Sequence, residues 1–320
     1  MQPRGNLKGT DMNILVTGAN GQLGHELGNI SSDSGNCFYF TDLDMAESPR
    51  GGSLDITDAS AVREAVSGVR WGSRMDVIVN CAAYTDVDRA EEDYAAADIV
   101  NHKAVGNLAG AAAEYGTLLM HVSTDYVFGG DASVPYLEDS PVAPTGVYGV
   151  TKLDGERAVL ESGCRHMIFR TAWLYSPYGK NFVKTIRRLV SEKDSINVVF
   201  DQVGTPTCAG DLAALIYMII EKGMLDRTGI YHFSNEGVCS WYDFAIAIRD
   251  LSGYGQDGPA GHFCRISPCH SDEFPSKVKR PHYSVLDKTR VKSVFGVEIP
   301  HWMDSLKAVI EKMQYGSSQD

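Results

Sequence analysis

The chain has 320 residues, of which 43% are hydrophobic and 22% are charged, a composition typical of a globular protein whose core needs no disulfide or metal. Its formal net charge of −12 argues against a nucleic-acid-binding protein, and no apolar stretch approaches the ~20 residues that span a bilayer. Seven scattered cysteines favour a reducing compartment, so we expect a cytoplasmic protein. At ~150 residues per domain, the length predicts about two domains.

From residue 12 onward, short apolar runs alternate with segments of helical periodicity. The predicted strands are residues 14–16, 37–40, 76–81, 118–122 and 167–170. The predicted helices are residues 22–29, 58–67, 94–115 and 148–161. Because buried parallel strands read as continuous apolar runs, this alternation predicts an α/β fold, with a Rossmann-like doubly wound parallel sheet covered on both faces.

The rest of the chain is less regular and predicts a second, smaller α/β domain. Helices are predicted at residues 182–192, 211–221, 241–251 and 301–315, a loop at 252–260 and an irregular surface segment at 267–283. We predict a first domain at residues 12–170, to which residues of about 195–235 return, and a C-terminal domain from 171–194 and 236–315. Residues 1–11 are polar without the apolar segment of a signal peptide, and we predict a disordered leader there.

A glycine-rich turn with the sequence GANGQLG follows the first predicted strand and opens the first helix. Glycines let such a turn approach a pyrophosphate closely, and the helix N-terminus supplies N–H groups to bind it. The turn therefore predicts a dinucleotide site and makes residues 12–170 an NAD(P)-binding domain; a purely structural turn is the alternative. The predicted contacts are Gly18, Asn20, Gly21, Gln22, Leu23 and Gly24.

An acidic residue, Asp42, ends the second predicted strand, 18 positions after Gly24. A carboxylate there can accept hydrogen bonds from the adenosine ribose and would repel a 2′-phosphate, which favours NADH over NADPH. A turn-forming aspartate is the alternative. Asp55 and Ile56, after the next short segment, are predicted to flank the adenine, with a capping role for Asp55 as the alternative.

Tyr148 and Lys152, four residues apart, fall on one face of a predicted helix. A free tyrosine has a pKa of ~10, and a nearby ammonium would favour its phenolate. Lys152 could also hydrogen-bond the nicotinamide ribose. Thr124 follows a buried strand, at the edge where doubly wound folds place catalytic groups, and could hold the substrate oxygen that Tyr148 protonates. The alternatives are an exposed helix pair and, for Thr124, a hydroxyl that caps its own backbone.

A series of segments in chain order resembles the extended short-chain dehydrogenase/reductases. They are TGANGQLG at 17–24, NCAAYTDVD at 80–88, STDYVF at 123–128, YGVTKLDGE at 148–156, RTAWLY at 170–175, NFVK at 181–184, DQVGTPT at 201–207 and Arg280-Pro281. The resemblance runs from about residue 12 to 310. It is greatest to the members that reduce C4 of dTDP-4-keto-6-deoxy-L-mannose to give dTDP-L-rhamnose for cell-surface polysaccharides.

The resemblance implies a role for each part of the site. The catalytic set would be Thr124, Tyr148 and Lys152, with hydride passing from NADH or NADPH to C4 and a proton from Tyr148 to the carbonyl oxygen. The implied cofactor contacts are Ala82, Ala83, Tyr84 and Asn101. The implied sugar-site residues, in part from the smaller substrate-binding domain, are Thr85, Thr124, Asp125, Tyr126 and Trp173, with a core aromatic as the alternative for Trp173.

A nucleotide sugar would bring two negatively charged phosphates to an acidic protein, so its site must supply local positive charge. Arg280 is the best candidate, because Pro281 favours an extended backbone before it and a guanidinium binds phosphate through two N–H groups. Lys277 and Lys279 are further candidates, which a solvated basic loop explains equally well.

Metal binding and assembly are left open. Some members of the family bind Mg²⁺ through acidic residues at a dimer interface; no such set aligns here, so no metal ligand is assigned and a homodimer stays an option. His262, Cys264, Cys269 and His270 lack the spacing of a familiar zinc site.

Three other functions share part of this pattern. A nucleotide-sugar epimerase has the same fold and Tyr/Lys pair but shows no net oxidation of its cofactor. A 4,6-dehydratase typically needs an Asp-Glu pair after the threonine, whereas Tyr126 follows Asp125 here. A non-catalytic regulatory subunit of a methionine adenosyltransferase, which resembles the same reductases, would co-purify with a synthetase chain and show no turnover.

Overall fold

The computed structural model describes residues 11–256, 258–274, 278 and 280–316. The predicted leader, except for Asp11, lies outside the described residues, as do Lys277 and Lys279. None of the described helices is long and apolar enough to cross a bilayer.

The described strands are, in chain order, β1 (Asn13–Thr17), β2 (Cys37–Asp42), β3 (Gly51–Ser53), β4 (Val77–Asn80), β5 (Leu118–Thr124), β6 (His166–Thr171), β7 (Leu174–Tyr175), β8 (Ser195–Val199), β9 (Val203–Gly204), β10 (Thr207–Cys208), β11 (Gly229–His232), β12 (Cys239–Ser240) and β13 (Arg265–Cys269). The described α-helices are α1 (Gln22–Ile30), α2 (Ala59–Ser67), α3 (Val87–Glu92), α4 (Tyr94–Asp98), α5 (Ala104–Tyr115), α6 (Val147–Glu161), α7 (Phe182–Glu192), α8 (Ala209–Glu221), α9 (Trp241–Leu251), α10 (Thr289–Phe295) and α11 (Trp302–Gly316). A π-helical turn, Ile99–Lys103, joins α4 to α5, and short 3₁₀ helices span Asp125–Val127 and Ser271–Glu273.

The central sheet is parallel throughout, with seven strands in the order β3-β2-β1-β4-β5-β6-β11. The order reverses between β1 and β4, which is the switch point where doubly wound folds bind nucleotides. This confirms the predicted Rossmann-like fold. The chain returns to the sheet through α8 and β11, whereas β8 pairs with β13 in a separate two-stranded sheet. The division into a cofactor domain and a substrate domain stays a prediction.

The core lies on both faces of this sheet because successive strand residues point in opposite directions. In β1, Ile14 and Val16 join a cluster that α1 and α8 cover, and Leu15 joins a cluster that α2 and α5 cover. All three side chains are fully buried. A third cluster, which includes Val183, Phe244 and Leu306, holds α7, α9 and α11 together in the C-terminal part.

The sequence prediction lacks several short elements, such as β3 and α3, and two predicted segments differ from the structure. The single helix predicted over residues 94–115 is interrupted by the π-helical turn, which propensity does not reveal because it differs from α-helix by one residue in the hydrogen-bonding pattern. The segment predicted as irregular from residue 267 begins with the end of β13, which includes Pro268. Proline is tolerated there because the sheet has only two strands, so its missing N–H faces an edge.

A buried ion pair fastens α6 to the sheet. Arg170, in β6, donates from Nη2 to Oε2 of Glu156 at 2.7 Å and from Nε to Oε1 at 3.0 Å, and the two side chains are 4% and 1% exposed. The Ser123 hydroxyl donates to the same carboxylate, and Nη1 of Arg170 donates to the Glu138 carbonyl at 3.1 Å. Removing one member of such a pair leaves an uncompensated charge in the core.

We therefore expect Arg170→Met to lower the free energy of unfolding by about 3–5 kcal/mol, measured by urea denaturation. The matched control is Arg188→Met, because Arg188 pairs with Glu192 at the surface, where the side chains are 60% and 52% exposed. That control should cost less than about 1 kcal/mol. Similar losses in both variants would show that the contribution of the Arg170–Glu156 pair to the free energy of unfolding does not depend on its burial.

Candidate active site

The glycine-rich turn lies between β1 and α1, at the switch point of the sheet. Gly18 has a φ of +72°, and a Cβ on it would lie 2.5 Å from the backbone nitrogen of Ala82, so only glycine fits. Gly21 precedes α1, and in the described structure no side chain caps that helix N-terminus. A bare backbone with uncapped N–H groups suits a pyrophosphate, so the turn fits the dinucleotide predicted for it.

The side chains of the next residues in the turn make contacts within the protein. Oε1 of Gln22 accepts hydrogen bonds from Asn181 Nδ2 at 3.0 Å and from Ser176 Oγ at 3.2 Å. Leu23 is 4% exposed, and a Cβ on Gly24 would lie 2.4 Å from the Gly18 carbonyl oxygen. A cofactor phosphate would therefore meet the backbone N–H groups of Gln22 and Leu23 rather than their side chains.

Asp42 lies at the end of β2, directly beside the turn. Its Oδ2 accepts a hydrogen bond from the Asn20 backbone N–H at 2.9 Å, and its Oδ1 accepts one from the N–H of Leu43 at 2.8 Å. Each carboxylate oxygen retains a second lone pair, which can receive a ribose hydroxyl. The position thus suits the adenosine contact predicted for Asp42.

The two residues predicted to flank the adenine have local roles in the structure. Oδ1 of Asp55 accepts hydrogen bonds from the Thr57 N–H at 2.8 Å and the Thr57 hydroxyl at 2.7 Å, as in an Asx turn. Asp58, rather than Asp55, caps α2. Ile56 is 7% exposed and belongs to the core, so an adenine contact from it stays a prediction.

Asn101 holds the loop that follows β4. Its Oδ1 accepts from the Tyr84 N–H at 2.9 Å, and its Nδ2 donates to the Tyr84 carbonyl at 3.1 Å and to Thr151 Oγ1 at 3.2 Å. The π-helical turn carries Asn101, and Thr151 belongs to α6, so one side chain joins three segments. Ala82 and Ala83 lie partly buried in the loop that it fixes.

Helix α6 brings Tyr148 to the end of β5. The approach is close because a Cβ on Gly149 would lie 2.3 Å from the Tyr126 carbonyl oxygen. Tyr148 lies beside Thr124, and burial raises the pKa of its phenol above the ordinary value, while a hydrogen bond with the Thr124 hydroxyl opposes the increase. The phenol is therefore protonated at neutral pH, as a proton donor must be.

Lys152 follows one turn later on α6 and is 1% exposed. Its Nζ donates to the Val122 carbonyl at 2.7 Å and lies 3.5 Å from Nε2 of His121. Burial lowers the pKa of Lys152 to about 8, and the Glu156 carboxylate opposes the decrease. The sequence predicts that the ammonium lowers the pKa of Tyr148. In the structure Nζ donates to the Val122 carbonyl instead, and burial is the largest influence on the pKa of the phenol.

Asp125 directly follows Thr124, at the side of the site where the sugar is predicted. Its Oδ1 accepts a hydrogen bond from Thr124 Oγ1 at 2.9 Å, whereas its buried Oδ2 has no partner among the described residues. Burial raises the pKa of Asp125 to about 7, and the nearby hydroxyls of Thr124 and Ser284 oppose the increase. An unsatisfied buried oxygen is costly, so this atom is suited to receive a ligand hydroxyl.

The structure places Arg280 beside Tyr126, at the side of the site where the sugar is predicted. The Tyr126 ring meets that of Tyr148 edge to face, with centroids 5.4 Å apart. Nη2 of Arg280 donates to Asp88 Oδ2 at 2.9 Å, and its guanidinium also hydrogen-bonds the Tyr126 hydroxyl. Arg280 borders a cavity of about 220 Å³. Thr85 is exposed just before α3.

Trp173 has a backbone conformation that is unusual for a large side chain. Its φ is +49°, in the left-handed region. The indole is partly buried and stacks on Trp241, with ring centroids 3.5 Å apart and planes 9° apart. A Cβ on Gly204 would lie 2.8 Å from the ring, so the indole fills a close space. It packs against the third core cluster, the one that includes Phe244, and its sugar contact stays a prediction.

The site contains two buried polar residues that sequence reasoning missed, Asn80 and His121. Both are fully buried, and Nδ2 of Asn80 lies 3.0 Å from Nδ1 of His121. The available signal was a histidine within an otherwise apolar strand, since buried histidines need a partner. Among the described residues, no group of three or more His, Cys, Asp or Glu side chains is placed to hold a metal ion.

Comparison with known proteins identifies the family. The family model described as the RmlD substrate binding domain matches residues 12–315. The dTDP-4-dehydrorhamnose reductase of Burkholderia thailandensis is 41% identical over 298 residues, which cover 91% of this chain and 95% of that protein. That of Aggregatibacter actinomycetemcomitans is 39% identical over 299 residues, which cover 92% of this chain and 97% of the relative.

Solved structures that resemble this chain carry the same name as these sequence relatives. The dTDP-4-dehydrorhamnose reductase from Clostridium acetobutylicum has a TM-score of 0.84 and 39% identity, covering 95% of this chain and all of its own. The enzyme from Bacillus anthracis, solved in complex with NADP, has a TM-score of 0.83 and 34% identity over the same shares. The chain therefore belongs to the family of dTDP-4-dehydrorhamnose reductases, oxidoreductases of the extended short-chain dehydrogenase/reductase class.

Proposed function

We propose that this chain reduces the C4 keto group of dTDP-4-dehydro-L-rhamnose, giving dTDP-L-rhamnose, and that Tyr148 supplies the proton. The observation that carries the proposal is the placement of Thr124, Tyr148 and Lys152 together at the carboxyl end of β5, beside the glycine-rich turn. Relatives with the corresponding name, one of them solved with NADP, support the same activity.

Each residue would have a distinct part in the reaction. A bound NADH or NADPH supplies hydride to C4. As negative charge develops on the carbonyl oxygen, the Tyr148 hydroxyl transfers its proton there. The Thr124 hydroxyl turns from Asp125 Oδ1 to donate its hydrogen bond to the same oxygen. Lys152 hydrogen-bonds the nicotinamide ribose. Oδ2 of Asp125, which is buried without a described partner, accepts a hydrogen bond from a sugar hydroxyl.

The primary experiment incubates the purified protein with dTDP-4-keto-6-deoxy-L-mannose and follows the loss of NADH or NADPH absorbance. One cofactor oxidised for each dTDP-L-rhamnose formed would support the proposal. An epimerase would convert the sugar with no net oxidation of cofactor. A regulatory subunit would show no turnover, and either result would overturn the proposal.

The role of Tyr148 predicts a severe defect in Tyr148→Phe. The substitution keeps the ring but removes the proton donor, so kcat should fall by about 10²–10⁴-fold. NADH affinity, measured by fluorescence titration, should stay near the wild-type value because the glycine-rich turn is unchanged. Tyr217→Phe, on α8 far along the chain, is the matched control and should retain full activity. Near-normal turnover in Tyr148→Phe would show that another group donates the proton.

The carboxylate of Asp42 predicts a preference for NADH, because it would repel a 2′-phosphate. Asp42→Asn keeps an acceptor for the Asn20 N–H but removes the charge, and it should raise the ratio of kcat/KM for NADPH to that for NADH by about tenfold, a change of about 1.4 kcal/mol. Asp33→Asn, a surface change, should leave the ratio unaltered. A wild-type enzyme that prefers NADPH tenfold or more would contradict this assignment.

The position of Arg280 predicts a contact with the substrate pyrophosphate. Arg280→Ala should raise KM for the sugar nucleotide by about tenfold or more, because a charge-assisted hydrogen bond is lost, and should weaken the salt dependence of KM. KM for NADH should not change. Asp88→Asn is the control: it removes the partner of the guanidinium without removing the cation, so it should not raise KM. An unchanged KM and salt dependence in Arg280→Ala would place the pyrophosphate elsewhere.

A further inference from the structure

A chain of buried hydrogen bonds runs beneath the site from β1 through β4 to β5. Oδ1 of Asn80 accepts from the Thr17 hydroxyl at 2.7 Å and from the Ala82 backbone N–H at 3.2 Å. A backbone N–H can only donate, so this atom must be the oxygen of the Asn80 amide. The atom that lies 3.0 Å from Nδ1 of His121 is therefore the amide nitrogen, a donor.

This contact fixes the tautomer of His121. Because Nδ1 accepts from Asn80, the hydrogen of the neutral imidazole is on Nε2. Nε2 lies 3.5 Å from Nζ of Lys152. An ammonium at Nζ would present a hydrogen to another hydrogen there, whereas a neutral amine presents a lone pair that accepts the Nε2–H. Nζ can meanwhile donate to the Val122 carbonyl in either form.

We propose that Asn80 and His121 are positioning residues for Lys152: Asn80 holds the imidazole with its proton on Nε2, and this N–H receives the lysine side chain in its neutral form. The assignment of Lys152 to catalysis rests on the proposed function, but the hydrogen-bond arrangement does not depend on it. Neither Asn80 nor His121 touches the reacting atoms in this scheme; both act through Lys152.

The charged groups around Nζ are consistent with this role. Glu156, on the same helix, favours the ammonium, but its carboxylate is bound by Arg170 of β6. His121 cannot take up the proton instead, since burial, and after it the charge of Lys152, holds the pKa of the imidazole well below its usual range. Tyr148, one turn earlier on α6, stays protonated. His121 is thus neutral at neutral pH, with Nε2–H as its donor.

The consequence concerns proton return after reduction. When Tyr148 has given its proton to the sugar oxygen, the phenolate must regain one. Among the described residues no hydrogen bond joins Nζ of Lys152 to the Tyr148 hydroxyl, so a proton from the ammonium would reach the phenolate through an intervening water, with an N–H bond broken and the O–H bond of the phenol formed. The amine that remains accepts the Nε2–H of His121 until solvent protonates it again. His121 therefore lowers the pKa of Lys152 further than burial alone would, so the ammonium gives up its proton more easily.

The sign of the pH effect follows from this arrangement. Loss of the Nε2–H removes a contact that favours the amine, so the pKa of Lys152 should rise from its value near 8 by about one unit, the size expected for one hydrogen bond. If the ammonium is the active form, the alkaline limb of kcat should move to higher pH by the same amount. A gap left in the structure would lower activity at all pH values without moving the limb.

The direct test uses NMR and needs no substrate. A two-bond ¹H–¹⁵N correlation spectrum of the wild-type protein should show the His121 proton on Nε2 from pH 6 to pH 9. The pKa of Lys152, read from ¹³Cε of labelled lysine and assigned by loss of the signal in Lys152→Met, should rise in His121→Phe. It should return towards the wild-type value in His121→Gln, whose amide can accept from Asn80 and donate towards Nζ. His166→Phe, at the far end of β6, is the matched control and should leave the pKa unchanged.

A proton on Nδ1 of His121, or an unchanged Lys152 pKa in both His121 variants, would overturn the inference even if the wild-type enzyme is an active reductase. If the wild-type protein is inactive but the tautomer and the pKa shift are as expected, the proposed function fails and the positioning of Lys152 stands. In an active enzyme, the alkaline limb of kcat should move in His121→Phe and be restored in His121→Gln; a limb that does not move in His121→Phe counts against the inference.

Discussion

The packing of α6 across the end of β5 is the contact on which the site depends. Gly149 allows the helix backbone to reach the Tyr126 carbonyl, and three residues later Lys152 enters the core to bind the Val122 carbonyl. At the next turn, Glu156 meets Arg170 from β6. The position of Tyr148 is thus set by a close approach at one end of the helix and a buried charge pair towards the other.

The same helix is also linked to the loop after β4, where the dinucleotide is predicted to bind. Asn101 hydrogen-bonds both the loop after β4 and Thr151 of α6, and it does so from a π-helical turn. An extra residue in a helix changes the direction of the side chains that follow, which is why such turns often occur at functional sites. Here it allows one amide to set the distance between the loop that faces the glycine-rich turn and the helix that carries Tyr148.

Much of this arrangement follows from the sequence because it rests on local patterns. Apolar runs of the length of β1 and β4, each followed by small residues, predict parallel strands. Their shared carboxyl edge predicts that the turn, Thr124 and Tyr148 lie close together. The glycine-rich turn is a weak signal alone, and its place between a predicted strand and a predicted helix is what makes it informative. The fold was therefore predictable, and the membership of the family as well.

The remainder depends on contacts between segments distant in the chain, which periodicity does not encode. Asn80 and His121 are 41 residues apart and meet because β4 and β5 are adjacent in the sheet. Arg280 and Asp88 are 192 residues apart, so a guanidinium predicted to bind phosphate proves to have a carboxylate partner already. The π-helical turn and the pairing of β13 with β8 were missed for a related reason: contacts with other segments, not local propensity, select them.

The pair of indoles formed by Trp173 and Trp241 has a further consequence. Their planes are nearly parallel and close, so the electronic transitions of the two rings couple and give an optical signal that neither ring produces alone. Trp173 is held in a left-handed backbone conformation that costs on the order of 1–3 kcal/mol, and the stack is among the contacts that hold it there. The protein thus carries a chromophore pair beside the predicted sugar site, and a movement that changes the angle or distance between the two indoles would change its circular dichroism without an added label.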